Sequence, residues 1–435
     1  MKRLLCMILT AALLCGFTGC TDTVPPATNG GSTTPPSSTA DTTAQSEATE
    51  AFAETVTSAQ VDPYEACPRI WNANCEEYIN LRPAPGSSEV LAKLLPGDSM
   101  ELLGWNGRYA KVRFNGQEGY VLSNYILPAD SNVLTDLLTV VRFTATYSYE
   151  QMVTDIAQLA DAYPDRCATE SIGSSEEGRA IPVLRIGDPN AKHHILLQGA
   201  IHGREHMTAW LVMALADFWL ANDITGYADV CCHLIPMSNP DGVVISQSGE
   251  LGKVQKEIYS HDRQMGNTSE GVADYAALWK ANALGTDLNR NFPAGWEYLH
   301  GVNAPSSQRY PGDTPFSAAE TAALRDYTLR YTFDSTISYH AYGSIIYYEY
   351  GNRQPVNEQS YSLAKAVQAV TGYPPEGSSS VEGGGYKDWV MDALGIPSLT
   401  IEIGCQPTPL EERELQSIFF RNLLVLPTVA QWLTK

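Results

Sequence analysis

His202 and Glu205 stand three residues apart, His340 follows the apolar stretch Ser335–Tyr339, and Glu402 follows Ser398–Ile401. At the start of a helix, residues three apart share one face, so an imidazole and a carboxylate can converge on a single cation. Two histidines and one glutamate suit a hydrolytic zinc ion, which takes three protein ligands and leaves its fourth position to water. A separate carboxylate beside it can take that water's proton. Alone, H-x-x-E is a weak signal in a chain with 8 histidines, and a histidine at a strand end is more often a packed structural residue. From these residues alone, a zinc site and a structural cluster both stand.

The elements that must hold these residues alternate between strand and helix from about residue 145. Tyr149, Met152, Val153, Ile156, Leu159 and Tyr163 recur at helical spacing. The run His194–Ile201 reads as a buried strand, followed by a helix over Thr208–Leu220. Further strands are expected at Cys232–Pro236, Ser335–Tyr339 and Ser398–Ile401, and Ser317-Ala-Ala-Glu320 reads as a capping box opening a helix to about Tyr331. This alternation predicts an α/β domain over 145–435, a mostly parallel mixed sheet flanked by helices. In such folds sites gather at the carboxyl ends of strands, where His202, His340 and Glu402 fall.

The amino-terminal third is of another kind. Residues 1–20 carry Lys2 and Arg3, an apolar stretch too short to span a bilayer, and Phe17-Thr18-Gly19-Cys20. They resemble a bacterial lipoprotein signal peptide, which implies lipid attachment at Cys20 and an exported protein anchored at the outer face of the cytoplasmic membrane, within the cell envelope. Residues 21–62, rich in Ser, Thr and Pro, are expected to be a disordered linker. Removing Cys6, Cys15 and Cys20 from nine cysteines leaves six, an even number that permits disulfides, with Cys67 and Cys75 the easiest local pair. In residues 66–130 short alternating segments flank Asn115-Gly116, a tight-hairpin signal. The stretch from Tyr78-Ile-Asn-Leu-Arg-Pro-Ala-Pro85 through Leu94-Leu-Pro-Gly97 to Gly119–Tyr125 resembles bacterial SH3 domains. That implies a small SH3-like β-barrel, either a cell-wall binder or an inert spacer.

His202-Gly-Arg-Glu205, Asp287-Leu-Asn-Arg-Asn291, Ser338-Tyr-His-Ala-Tyr342 and Thr400-Ile-Glu402 are similar to the successive motifs of zinc carboxypeptidases. Ile172-Gly-Ser-Ser-Glu-Glu-Gly-Arg179 and Ser238-Asn-Pro-Asp-Gly242 agree, so the match runs over about residues 148–432. The resemblance implies one zinc ion held by His202, Glu205 and His340, with Glu402 as general base. Asn289 and Arg290 would grip the substrate's terminal carboxylate, as a bidentate guanidinium does well. Arg204 and Tyr342 would line the substrate side.

Two departures stand out. The family's oxyanion arginine should follow Asn-Pro-Asp-Gly, yet that stretch reads Leu251-Gly-Lys-Val-Gln-Lys-Glu257, leaving Lys253, Lys256 or Arg263 to replace it. Counting back from Glu402 through Trp389 puts Ser380 where animal members have a mobile tyrosine, with Tyr386 as a substitute. The same count puts Lys387 at the floor of the specificity pocket, where it would attract an acidic group. Trp279-Lys-Ala-Asn282 and Gly385-Tyr-Lys-Asp-Trp389 look more like bacterial γ-D-glutamyl-diaminopimelate peptidases than digestive enzymes. The expected substrate is a peptidoglycan stem peptide. The alternatives are a general metallocarboxypeptidase trimming C-terminal residues and a non-catalytic cell-wall peptide-binding protein. A net charge of −21 without any basic run excludes nucleic acid as a partner. No G-x-S-x-G or Walker pattern occurs.

Overall fold

The computed structural model describes residues 67–434, apart from 131–132, 145, 223–228 and 379. The signal and linker expectations, with Cys20, lie outside the described residues. Strands β1 (Ile70–Ala73), β4 (Ser99–Asn106), β5 (Tyr109–Phe114), β6 (Gln117–Leu122) and β7 (Ile126–Pro128) form an antiparallel sheet in the order β6-β5-β4-β1-β7. The pair β2 (Ile79–Leu81) and β3 (Ala92–Leu94) completes this SH3-like unit. Asn115 and Gly116 take φ of 49° and 80° between β5 and β6, the two left-handed positions that a tight hairpin turn requires.

The larger sheet runs β14-β13-β15-β12-β10-β11-β9-β8, with β8 at Cys167–Ser174, β9 at Ala180–Ile186, β10 at His193–Gln198 and β11 at Val230–Ile235. The rest are β12 at Ser335–Ala341, β13 at Ile345–Tyr347, β14 at Pro375–Glu376 and β15 at Ser398–Ile403. The central strands β11, β10, β12 and β15 are parallel, whereas β9 and β8 on one side and β13 on the other join antiparallel. This is the mixed sheet expected. Helix α1 (Tyr149–Ala162) is capped by Ser148, whose hydroxyl accepts from Gln151 N. Helix α2 (Met207–Ala221) is buried almost all round, as a helix apolar on every face must be. No described helix is long and apolar enough to cross a membrane.

Asp217 on α2 is fully buried and accepts from Thr139 N, Val140 N and Val141 N at 2.7–2.9 Å and from the Thr139 hydroxyl at 2.6 Å. It fastens the segment arriving from the SH3-like unit. Asp217→Ala leaves four donors without their acceptor. It is expected to cost about 3 kcal/mol in a urea titration followed by tryptophan fluorescence.

Three expectations are corrected. The helix after Ser317 is α5 (Ala319–Arg330), and its N-cap, Ala318, makes no side-chain cap. Distant residues do that work: Ala318 N donates to Asn291 Oδ1 and Ala319 N to Glu176 Oε1. Glu320 instead points inward and accepts from Asn282 Nδ2. Cys67 and Cys75 are both free, because the extended strand β1 between them spans roughly 13 Å while a disulfide needs Cα atoms within about 7 Å. Tyr386 is buried against Phe292 and Trp389, with its hydroxyl on Thr328 Oγ1, so it cannot serve as a mobile tyrosine.

Candidate metal centre

The loop after β10 carries His202 into a short 3-10 turn, Gly203–Glu205, which runs into α2. Its shape depends on close approach: a Cβ on Gly203 would lie 2.3 Å from Gly242 O, so the glycines of His-Gly-Arg-Glu and Asn-Pro-Asp-Gly permit each other. Asn239 caps helix α3 (Pro240–Ser248) by accepting from Gly242 N. Its amide donates to Ile201 O, Lys280 O and Ala281 O. Asp241 accepts from Ser175 Oγ, Glu177 N and Arg179 Nη1. The two supporting motifs are thus braces for the loop that bears His202.

His340 sits near the end of β12, in register with Glu402 on β15. His202 Nδ1 lies 2.9 Å from Glu205 Oε1, and His340 Nδ1 lies 3.0 Å from Glu205 Oε2. The three donors are buried and within 4.8 Å of one another. On its far side, His202 Nε2 is 3.3 Å from Asp287 Oδ1. Burial opposes ionisation of Asp287, but the His202 ring, Lys280 and Arg290 outweigh it and hold the carboxyl well below its usual range. Glu205 behaves alike, burial being outweighed by His202 and Lys280. With Nε2–H committed to an ionised Asp287, His202 Nδ1 faces Glu205 as one acceptor facing another. A proton or a metal cation between them resolves that contact, and a second imidazole turned to the same carboxylate favours the metal. Ligand atoms of one tetrahedral ion are about 3.3 Å apart, close to the spacing seen. The residues fit a metal ion.

Asp287 is the partner that fixes the ligand tautomer. Asp287→Asn is expected to weaken metal affinity about tenfold to a hundredfold, read by competition with a chromogenic chelator.

A second grouping, His194, Cys231 and His233, lies toward the amino ends of β10 and β11. Its rings are already linked, His194 Nδ1 to His233 Nε2 at 2.9 Å and His233 Nδ1 to the Tyr327 hydroxyl at 2.7 Å.

Beside the His202 centre, a cavity of about 300 Å³ is lined by His202, Lys280, Asp287, Asn289, Arg290, Arg309 and Asp388. Asn289 and Arg290 therefore share one space with a ligand. Asn289 Oδ1 is held by Tyr386 N, and Arg290 Nε sits 3.6 Å from Asp287. Glu402 lies half-buried beside His340. Burial pushes its carboxyl up to about 7, reinforced by Glu205 and opposed by His340, Lys280 and Arg204. Tyr342 is exposed two residues beyond His340.

A model described as zinc carboxypeptidase matches residues 152–423. The chain belongs to the zinc carboxypeptidase family. Membership makes it a hydrolase that uses zinc, and His202, Glu205 and His340 are the group able to hold the ion. A second model, described as a bacterial SH3 domain, matches residues 77–126. The chain is 32% identical over 290 residues to gamma-D-glutamyl-L-diamino acid endopeptidase 1 of Lysinibacillus sphaericus, covering 63% of this chain and 69% of that one. It is 26% identical over 281 residues to carboxypeptidase B of Astacus astacus, covering 60% and 87%. Among solved structures, carboxypeptidase A of Helicoverpa armigera superposes with a TM-score of 0.53 at 19% identity, over 75% of this chain and 91% of that one.

The zinc carboxypeptidase frame corrects two positions. Lys253 and Lys256 line a separate surface cavity on helix α4 (Lys253–Met265), and Arg263 is bonded to Ser269 O. A cation that does stand at the metal centre is Lys280. Its Nζ is 3.6 Å from Glu205 Oε1, and its carbonyl accepts from Gly203 N. Helix α4 and the segment after it separate Gly242 from Trp279, so a short count from Asn-Pro-Asp-Gly stops on α4. The Trp-Lys-Ala-Asn segment was the signal. Lys387 does not line the cavity: it is buried, donating to Glu349 O at 2.8 Å and Asp388 Oδ1 at 2.6 Å. Asp388 is the residue that reaches the cavity.

Proposed function

We propose that the chain cleaves the γ-D-glutamyl–diamino acid bond of peptidoglycan stem peptides. The observation that carries this is the content of the cavity beside the zinc ligands, which joins the cations Lys280, Arg290 and Arg309 to two carboxylates, Asp287, turned to His202, and Asp388. A departing diamino acid brings a carboxylate for Arg290 and Asn289 and an amine for Asp388, so Asp388 takes the discriminating place first given to Lys387. The similarity to an enzyme named for that bond supports the reading.

Zinc, when bound by His202, Glu205 and His340, supplies a Lewis acid that lowers the pKa of water and polarises a carbonyl. The chain's own residues do the rest. Glu402 takes a proton from the attacking water as oxygen adds to the carbonyl carbon, then passes it to the amide nitrogen as the carbon–nitrogen bond breaks. The products are a free glutamyl γ-carboxylate and the amine of the diamino acid. Lys280 places a positive charge where the carbonyl oxygen turns negative. Arg204 and Tyr342 line the remaining walls of the cleft. We also propose export with lipid anchoring at Cys20, and wall binding through the SH3-like unit; the targeting-like segment and the bacterial SH3 match support these.

A substrate panel tests the reading. Dipeptides joining γ-D-glutamate to a diamino acid are expected to exceed α-linked peptides ending in Phe, Lys or Glu by at least about a hundredfold in kcat/KM, a difference of roughly 2.7 kcal/mol. Equal or faster removal of ordinary C-terminal residues would overturn it in favour of a general carboxypeptidase.

A further inference from the structure

The SH3-like unit is built into the peptidase. Trp71 of β1 is fully buried, with its ring 5.8 Å from that of Phe420 on helix α6 (Leu415–Asn422), edge to face. The β4–β5 turn is clamped at a single residue, Gly107, from both sides. Gly107 N donates to Gly372 O at 2.8 Å, and Gly107 O accepts from Arg421 Nη2 at 2.5 Å. Arg421 is itself buried and fixed by a second bond from its Nε to Thr371 O. The fit leaves no slack: a Cβ on Gly372 would lie 2.5 Å from Trp105 O.

The residue after the clamp is Arg108. Its carbonyl accepts from both the backbone N–H and the hydroxyl of buried Ser123, each at 3.0 Å. Its backbone is therefore held on either side. The guanidinium projects to 5.9 Å from the centroid of the Tyr342 ring. Among the described residues it makes no ion pair and no side-chain hydrogen bond, in a chain whose net charge is −21. Such a chain has acidic partners in plenty, so a cation fixed over a cleft tyrosine without one is available to a ligand.

Tyr342 does not line the cavity of Asn289, Arg290 and Asp388. It lies two residues beyond His340, whose neighbour Ala341 donates its N–H to Glu205. A peptide whose departing residue fills that cavity leaves its acyl half outside it, where the exposed Tyr342 also lies.

We propose that Arg108, contributed by the SH3-like unit, is a specificity-determining residue that binds an anionic group on the acyl half of the substrate. A glutamyl residue joined through its γ-carboxyl keeps its α-carboxylate free, separated from the scissile carbonyl by the Cγ, Cβ and Cα of the same residue. On the substrate proposed above, which this inference takes as its starting point, that α-carboxylate is the group Arg108 meets. A planar guanidinium resting on an aromatic ring still offers its edge to a carboxylate. The SH3-like unit then has a part in choosing the bond cut, whether or not it binds wall.

The test uses the full chain loaded with zinc and two substrates, γ-D-glutamyl–diamino acid peptides with the α-carboxylate free or converted to the carboxamide. The wild type is expected to favour the free acid by about tenfold in kcat/KM, mainly through KM. In Arg108→Gln the ratio is expected to fall to about one, and Arg108→Lys to keep part of it. Retention of the full preference by Arg108→Gln, or no preference in the wild type, overturns the assignment. The guanidinium is exposed, so the melting temperature of the variant should match that of the wild type. If neither γ-linked substrate is cut, the γ-glutamyl reading has failed, and the same variants are run on α-linked peptides with Glu or Gln on the acyl side. A preference for Glu that disappears in Arg108→Gln upholds Arg108, and its absence overturns it.

Discussion

Glu402→Gln is expected to bind zinc with the stoichiometry of the wild type and to lose about three orders of magnitude in kcat. The amide keeps the size of the side chain at the end of β15, beside His340, but cannot take a proton. The pH dependence has a definite sign. Glu402 works as a base only when ionised, so activity is lost as pH falls through its pKa. Burial pushes that carboxyl up to about 7 in the metal-free chain, and a bound cation draws it down. The wild type should therefore show an acid limb at or below pH 7 in kcat/KM, and the residual activity of Glu402→Gln should lack it. A variant retaining more than a tenth of wild-type kcat would remove Glu402 from the role of base.

Lys280→Met is expected to lower kcat by about two to three orders of magnitude while zinc content stays the same. The lysine is half-buried, 3.6 Å from Glu205 Oε1, and its backbone is pinned by Gly203 N and by Asn239 Nδ2. Methionine preserves the packing of the stem and removes the charge proposed to face the developing oxyanion. Lys280→Arg should recover part of the rate. Loss of zinc from Lys280→Met, with activity per bound zinc unchanged, would make the residue a support for Glu205 instead.

The contrast between Lys280 and the ligands shows what the sequence made legible. His202, Glu205, His340 and Glu402 lie at ends of strands whose apolar runs are unmistakable, and short motifs fix each of them locally. The register of His340 with Glu402 follows from β12 and β15 being neighbours in a parallel sheet. Lys280 was hidden because helix α4 separates its motif from Asn-Pro-Asp-Gly, so counting along the chain led to α4. Lys387 was misplaced for the opposite reason. The count was adequate, but adjacent positions on a helical turn point in different directions, and the cavity receives Asp388 while Lys387 is sealed behind it. The capping box at Ser317 failed because Asn291 and Glu176, remote in sequence, reach the helix start first. Arg108 could not be read at all, since its importance depends on how the SH3-like unit docks, which is set by the contacts of Trp71, Gly107 and Arg421 across the interface.

The proposed cut lies at the γ-glutamyl bond. Its most direct measurement is the mass of the products formed when the zinc-loaded chain is incubated with peptidoglycan stem peptides, with and without a chelator. The expected result is cleavage between γ-D-glutamate and the diamino acid, abolished by the chelator and restored by added zinc. Stem peptides that stay intact at that bond, while ordinary peptides lose their C-terminal residues, would contradict it.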